Sequence, residues 1–281
     1  MSVILGLAAA LAYGASDFVA GVLSRRISFV LVAAVGQLTA TVCTAIALPL
    51  TDPPAPSATG LAWGAASGLG AALGTLALYR GLGSGSMAVA APLSGVGAAA
   101  LPALAGFLLG ERPSLLAAAG IVLALPAVWL VSKVDVAASD RPRSKVAAGV
   151  GDGLLAGVGF ALLFLGLDQA GDAAGLWPVA VAQLTSALVL CGGAATRRTS
   201  WRAPAPLIAA SGSVGLLGAA ATVLFFRATH VGLLALAAVL TSLYPAFTVL
   251  LARLTLGERF GRVQSIGLGL AAASVVLIVT G

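Results

Sequence analysis

Hydrophobic positions along this chain form long, nearly unbroken runs, and polar positions are confined to the short connections between them. Ten runs stand out, near residues 3–22, 28–50, 60–79, 84–109, 114–132, 147–167, 176–195, 205–226, 229–256 and 263–280. Each is close to the length of one bilayer crossing, roughly 20 residues of helix. A backbone in lipid must satisfy its polar groups within each segment, so runs of this length specify helices rather than the shorter alternating strands of a barrel. The expected fold class is all-α: a polytopic membrane protein with ten transmembrane helices. The connection from Thr51 to Ser57 carries Asp52 and three prolines and breaks the helical pattern.

The pattern also repeats. Residues 79–120 align without a gap with residues 226–267, at a constant offset of 147 (226 − 79). Most identities are Ala, Leu or Gly, which this composition makes frequent. The informative ones pair Arg80 with Arg227, and Gly110-Glu111-Arg112 with Gly257-Glu258-Arg259. The match extends further: Tyr13 aligns with Phe160, Gly68 with Gly215, Thr75 with Thr222, and Ser94 with Thr241. Gln37-Leu38-Thr39 meets Gln183-Leu184-Thr185 after one residue is dropped. Two five-helix units follow, 1–132 and 147–281, joined by a charged linker over 133–146. An odd number of crossings makes the halves insert in opposite senses, which is an inverted-topology repeat.

Composition strengthens the membrane reading. With 60% hydrophobic residues, 9% charged residues and a mean hydropathy of +1.08, the chain has too little polar surface to coat a soluble globule. The net charge of +6 could suggest nucleic acid, but no basic run is interleaved with aromatics, and neither nucleic acid nor nucleotide is an expected partner. Basic residues instead mark sidedness. With the N-terminus outside, Arg25, Arg26, Arg80, Lys133, Arg141, Arg143, Lys145, Arg197, Arg198, Arg202, Arg253, Arg259 and Arg262 fall inside, and only Arg112 and Arg227 outside. The positive-inside rule therefore places both termini outside. The first run lacks a preceding basic segment and is expected to be retained rather than cleaved. Cys43 and Cys191 lack metal-ligand spacing and read as small core residues. Glycines at helical spacing, Gly60, Gly64 and Gly68 in the third run and Gly149, Gly153 and Gly157 in the sixth, predict close helix packing ahead of sliding surfaces.

Candidate chemistry is sparse. Asp17 lies about five residues, roughly 8 Å, inside the first run. A carboxylate at that depth either exchanges a proton or accepts a cationic group, or else reaches Arg25 or Arg26. Asp152 sits near the start of the sixth run, where pairing with linker bases is favoured. Gln37 and Gln183 offer matched amides, either to a solute or to each other across helices. Pro245 frees the carbonyl of Thr241 four residues back, so Thr241 and Tyr244, with Ser94 at the repeat position of Thr241, form a candidate polar surface. Tyr13, Phe160, Thr75 and Thr222 complete the candidate lining. Glu111 and Glu258 stand in turns at the membrane edge and read as structural partners of helix N-termini. His230 is the single histidine, which excludes a multi-histidine metal site, and no cofactor is expected. The Gly81–Ser86 loop lacks the Lys-Ser/Thr ending of a phosphate-binding loop.

Five-span repeats, each with a Gly-Glu-Arg hinge before a Gly-bearing last span, resemble the EamA family of the drug/metabolite transporter superfamily. Pro245, thirteen residues before Glu258, matches the family's Ser/Thr-x-x-x-Pro pattern, preceded here by Thr241-Ser242-Leu243-Tyr244; the first half departs from it, with Ala98 at the matching position between Pro92 and Pro102. Tyr13-Gly14-Ala15-Ser16-Asp17-Phe18 is similar to the family's aromatic-Gly-x-x-Asn-Phe signature, with Asp in place of Asn. The resemblance implies a secondary carrier in the cell membrane, here a bacterial plasma membrane, moving a small-molecule solute by alternating access through a ten-helix bundle. Protons are the expected coupling partner if Asp17 titrates. The family is drawn with both termini in the cytoplasm, opposite to the charge count, and the charge count is kept. A membrane-embedded enzyme or a channel is the alternative. The spans carry no convergent nucleophile, base and metal set for the first and no rings of like charge for the second.

Overall fold

A computed structural model describes residues 1–51, 55–83, 87–132, 143–171, 173, 175–196, 203–256 and 261–281. Among them are eleven helices and no strand: α1 (Ser2–Ser24), α2 (Phe29–Leu50), α3 (Ala58–Gly83), α4 (Met87–Leu108), α5 (Leu115–Ser132), α6 (Arg143–Gln169), α7 (Trp177–Thr196), α8 (Ala205–His230), α9 (Leu234–Thr241), α10 (Tyr244–Leu256) and α11 (Arg262–Thr280). Eight helical stretches are long and apolar enough to cross a membrane, with Leu234–Ala252 counted as one, and Leu93–Leu108 and Leu115–Val131 are shorter apolar helices. The outward faces carry apolar residues such as Leu108, Leu115, Leu188 and Leu254, all well exposed. Water would penalise such faces and lipid does not, so the chain is a multi-pass membrane protein.

The ten hydrophobic runs all have helical counterparts; α3 runs four residues past its expected end and α9 starts five residues late, and three further differences bear on the site or the linker. The ninth run is two helices. Its ladder ends with Ser242 N–H bonded to the Ala238 carbonyl and Leu243 N–H to Leu240, and α10 restarts with Ala246 N–H on Leu243. Pro245 has no N–H to carry the helix through, so the chain turns there. In the first half Ala98 stands at the corresponding place, and α4 runs unbroken past Pro92 and Pro102. The eighth helix continues to His230 rather than ending at 226, since Arg227-Ala-Thr-His contains no helix breaker before Gly232. The sixth begins at Arg143, inside the stretch read as linker; residues 133–142 of that linker lie outside the described residues.

Helix α3 packs on α6 and α7, and α1 on α8, α9 and α10. Helix α4 packs on α6 and α9, α2 on α7 and α8, and α5 on α11. Small residues set these distances. Where α2 crosses α8, a Cβ on Gly215 would lie 1.9 Å from the Gly36 carbonyl oxygen, so the two backbones touch and no side chain fits. Gly64 and Gly68 approach α7 similarly closely, at Pro178 and Ala182, and Gly153 and Gly157 meet α4. These glycines occupy packed crossings.

Two acidic residues tie helices together. Asp152, 5% exposed on α6, accepts from Arg80 Nε at 2.8 Å and also from Nη2, joining α6 to the end of α3. Among the described residues its partner is Arg80 of the third helix, and the side chains of the linker bases Lys133, Arg141, Arg143 and Lys145 lie outside them. Glu111, in the turn after α4, accepts from the backbone N–H of Leu234 and, at 2.9 Å, of Ala235. It caps α9, in the other half of the chain, rather than α5 as its position in sequence suggests. Glu258 lies outside the described residues.

Candidate functional site

Helices α1, α2, α3, α6, α7, α8 and α10 enclose a cavity of about 110 Å³, enough for several waters or a small solute. Eight of the ten residues singled out from the sequence line it: Tyr13, Asp17, Gln37, Thr75, Phe160, Gln183, Thr222 and Tyr244. Ser94 and Thr241 do not. Ser94 is buried on α4 and interacts with the Tyr244 phenol, while Thr241 is buried at the end of α9 and donates to the Gly6 carbonyl of α1 at 3.4 Å. The helix break does bring Tyr244 to the cavity. Thr248, one turn on, donates to the carbonyls of Gly14 at 3.0 Å and Tyr244 at 3.1 Å, fixing the start of α10 against α1.

Repeat-related positions line the same cavity. Tyr13 and Phe160, Asp17 and Phe164, Ala71 and Gly218, and Thr75 and Thr222 are all wall residues at the same offset of 147 (for instance 160 − 13). The two glutamines meet directly. Gln37 Nε2 donates to the Gln183 side-chain oxygen and, at 3.2 Å, to its backbone carbonyl, bridging α2 and α7.

Most polar groups of the wall are already committed. Thr222 donates to the Gly218 carbonyl at 2.8 Å, so its oxygen accepts from the Tyr13 phenol at 2.9 Å. Ser16 donates to the Val214 carbonyl at 2.9 Å. Asp17 differs. Among the described residues no group donates a hydrogen bond to it and no cation pairs with it; Arg25 and Arg26, beyond the end of α1, are exposed. Its accessible surface is cavity wall, and the phenols of Tyr13, Tyr79 and Tyr244 lie within its electrostatic reach.

Aromatic rings frame the site. Tyr13 meets Tyr244 edge-on, centroids 6.5 Å apart, and Phe164 at 6.3 Å, and Phe164 stacks on Phe225 at 4.2 Å. Beyond that stack, towards the end of α8, packing is continuous through Leu167, Leu176, Phe226, Ala228 and Leu234. Of the wall residues not singled out from the sequence, three carry hydroxyl or aromatic side chains: Ser16, Tyr79 and Phe164. Tyr79 opens the aligned repeat and is followed by Arg80, which drew attention as the rarer landmark. Phe164 counts in the sequence only as the apolar counterpart of Asp17, and Ser16 only as a spacer in the Tyr13–Phe18 signature.

Comparison with known proteins adds the ancestry of this arrangement. One solved crystal structure superposes with a TM-score of 0.75 at 16% sequence identity, over 98% of this chain and 95% of its own. At that identity the likeness concerns the fold. No curated protein matches the sequence. The sequence model of the EamA-like transporter family matches twice, over residues 1–133 and 148–280. The two matched stretches together span nearly the whole chain, and the protein belongs to the EamA-like transporter family.

Proposed function

We propose that the protein is a secondary carrier that moves a small solute across the bacterial plasma membrane by alternating access, its halves acting as inverted repeats that rock about the central cavity. One observation carries this reading: an internal cavity walled by matched residues of both halves, with an unpaired carboxylate in its wall. The packing pattern supports the symmetry. Helix α3 lies on α6 as α8 lies on α1, α3 on α7 as α8 on α2, and α5 on its counterpart α11. The units proposed are 1–132 and 147–281, with both termini outside the cytoplasm.

Within the cavity Asp17 is the proposed coupling residue. It is neutral when it holds a proton and charged when it does not, and either state changes how a solute is held. Tyr13, Gln37, Thr75, Phe160, Gln183, Thr222 and Tyr244 are the proposed solute contacts. Ser94 and Thr241 act behind them, on Tyr244 and on the helix break.

Proteoliposomes loaded with a pH-sensitive dye and challenged with a panel of amines, amino acids and neutral metabolites test the reading. A solute-dependent proton movement with the wild type, absent with Asp17→Asn, is the expected result. Solute accumulation driven equally well by both proteins removes Asp17 from coupling. Absence of transport of any panel member, alongside altered lipid or metabolite chemistry, favours an enzyme instead.

A further inference from the structure

We infer that the solute held at this cavity is a small organic monocation, an ammonium without a carboxylate of its own. The inference rests on the carrier reading of the same site. Its basis is the charge inventory of the wall. Asp17 supplies one carboxylate, and no Lys, Arg or His stands among the lining residues. An enclosure with a single negative group and no positive one is complementary to one positive charge. A zwitterion would set its own carboxylate beside that of Asp17 with no cation to offset the repulsion.

The rest of the wall agrees. Tyr13, Tyr79, Tyr244, Phe160 and Phe164 surround the space with aromatic surface, and the negative face of a ring attracts a cation. The three tyrosines and Asp17 line the same cavity, so a solute held there meets rings and carboxylate together. Part of the wall's hydrogen-bonding capacity is already spent on the protein, which favours a compact cation over a solute rich in polar groups, while the hydroxyls of Thr75 and Tyr79 have no hydrogen-bond partner among the described residues. Tyr13, Thr222 and Ser16 spend their hydroxyl protons on the protein, and Gln37 spends its amide on Gln183. A polar solute with several donors and acceptors would lose more hydration than the wall restores. Methylated ammonium groups, which make few hydrogen bonds in water, lose least.

The test uses the purified full chain and three probes: tetramethylammonium, tert-butanol as a neutral molecule of similar bulk, and glycine betaine as the zwitterion, in which a carboxymethyl group replaces one methyl of the same ammonium head. Equilibrium binding to the detergent-solubilised protein is measured first, then counterflow exchange in proteoliposomes. Tetramethylammonium should bind at least tenfold more tightly than either other probe, and Asp17→Asn should remove that preference. The probe comparison on the wild type stands even if the Asp17 variant misfolds. Equal or tighter binding of betaine or tert-butanol overturns the inference, as does binding of none of the three or undiminished tetramethylammonium binding by a folded Asp17→Asn. Selective binding of tetramethylammonium without exchange supports the inference and sinks the carrier reading. Exchange of betaine with no binding of tetramethylammonium does the reverse.

Discussion

Replacing Glu111 with alanine should destabilise the fold by an amount that its contacts define. The carboxylate sits in the turn after α4 and accepts two backbone N–H bonds, from Leu234 and Ala235, at the start of α9. Removing an N-cap costs about 1 kcal/mol, and a charged acceptor in a partly buried site at a helix N-terminus raises this towards about 2–3 kcal/mol. The site is built for this side chain. A Cβ on Gly106 would lie 2.3 Å from Glu111 Oε2, so the helix before the turn has left room for the carboxylate to fold back. Gly110, at φ +100°, supplies the reversal that aims it. For a chain of this size about 2 kcal/mol corresponds to a fall in melting temperature on the order of 4 °C. Thermal unfolding of the purified protein in detergent reads that shift. Glu111→Gln keeps an acceptor oxygen and loses the charge, so it should fall between wild type and alanine. An alanine variant that melts like the wild type refutes the capping account. A variant that folds normally but no longer transports moves Glu111 from scaffold to transport cycle.

Further outcomes follow from other contacts. Arg80→Ala strands a buried carboxylate, but the Arg80 side chain is 56% exposed, so the cost is discounted to about 1–2 kcal/mol; the double variant Arg80→Ala/Asp152→Ala should recover most of it in the same melting assay. Gly215→Val drives α8 off α2 and should cost about 3 kcal/mol or more, seen as loss of monodisperse protein on size-exclusion chromatography. Alkaline phosphatase fused after Gly281 should be active, because thirteen of the fifteen Lys and Arg then lie inside; a silent phosphatase with a bright C-terminal fluorescent protein reverses the orientation.

Periodicity made the spans legible because a bilayer imposes one length on every crossing, and all ten runs have helices close to their expected limits. The repeat made the cavity legible. Positions that match at one offset, such as Thr75 with Thr222, reach one wall. What stayed hidden were contacts between elements distant in sequence. Nothing local says that Glu111 caps a helix more than 120 residues away, or that Asp152 pairs with Arg80. A turn glutamate reads as a partner of the next helix because the next helix is the one in view. Thr241 shows the converse error. The carbonyl that a proline frees predicts a polar surface, but the break points Tyr244 into the cavity and leaves Thr241 bonded to Gly6.

The departures from symmetry are where specific chemistry resides. Matched packing, with Gly215 against Gly36 as Gly68 is against Ala182, and with Gln37 against Gln183, gives both halves similar crossings. If the halves rock as proposed, a frame of matched crossings would have two ways to close, neither favoured by the frame itself. Asp17 against Phe164 breaks the balance at the wall, and the turn at Ser242–Leu243 against unbroken α4 breaks it in the helices that flank the site. Both differences converge on Tyr244, which begins the second half of the broken helix and stands within reach of the Asp17 charge. On the proposed carrier reading, a charge arriving at or leaving Asp17 would act on the start of α10, which lies just after the turn and is held to α1 by Thr248. Charge and movement would then couple at the Asp17–Tyr244 pair rather than at either residue alone. Replacing Pro245 with alanine, which allows the ladder to continue, should then leave probe binding intact and slow exchange.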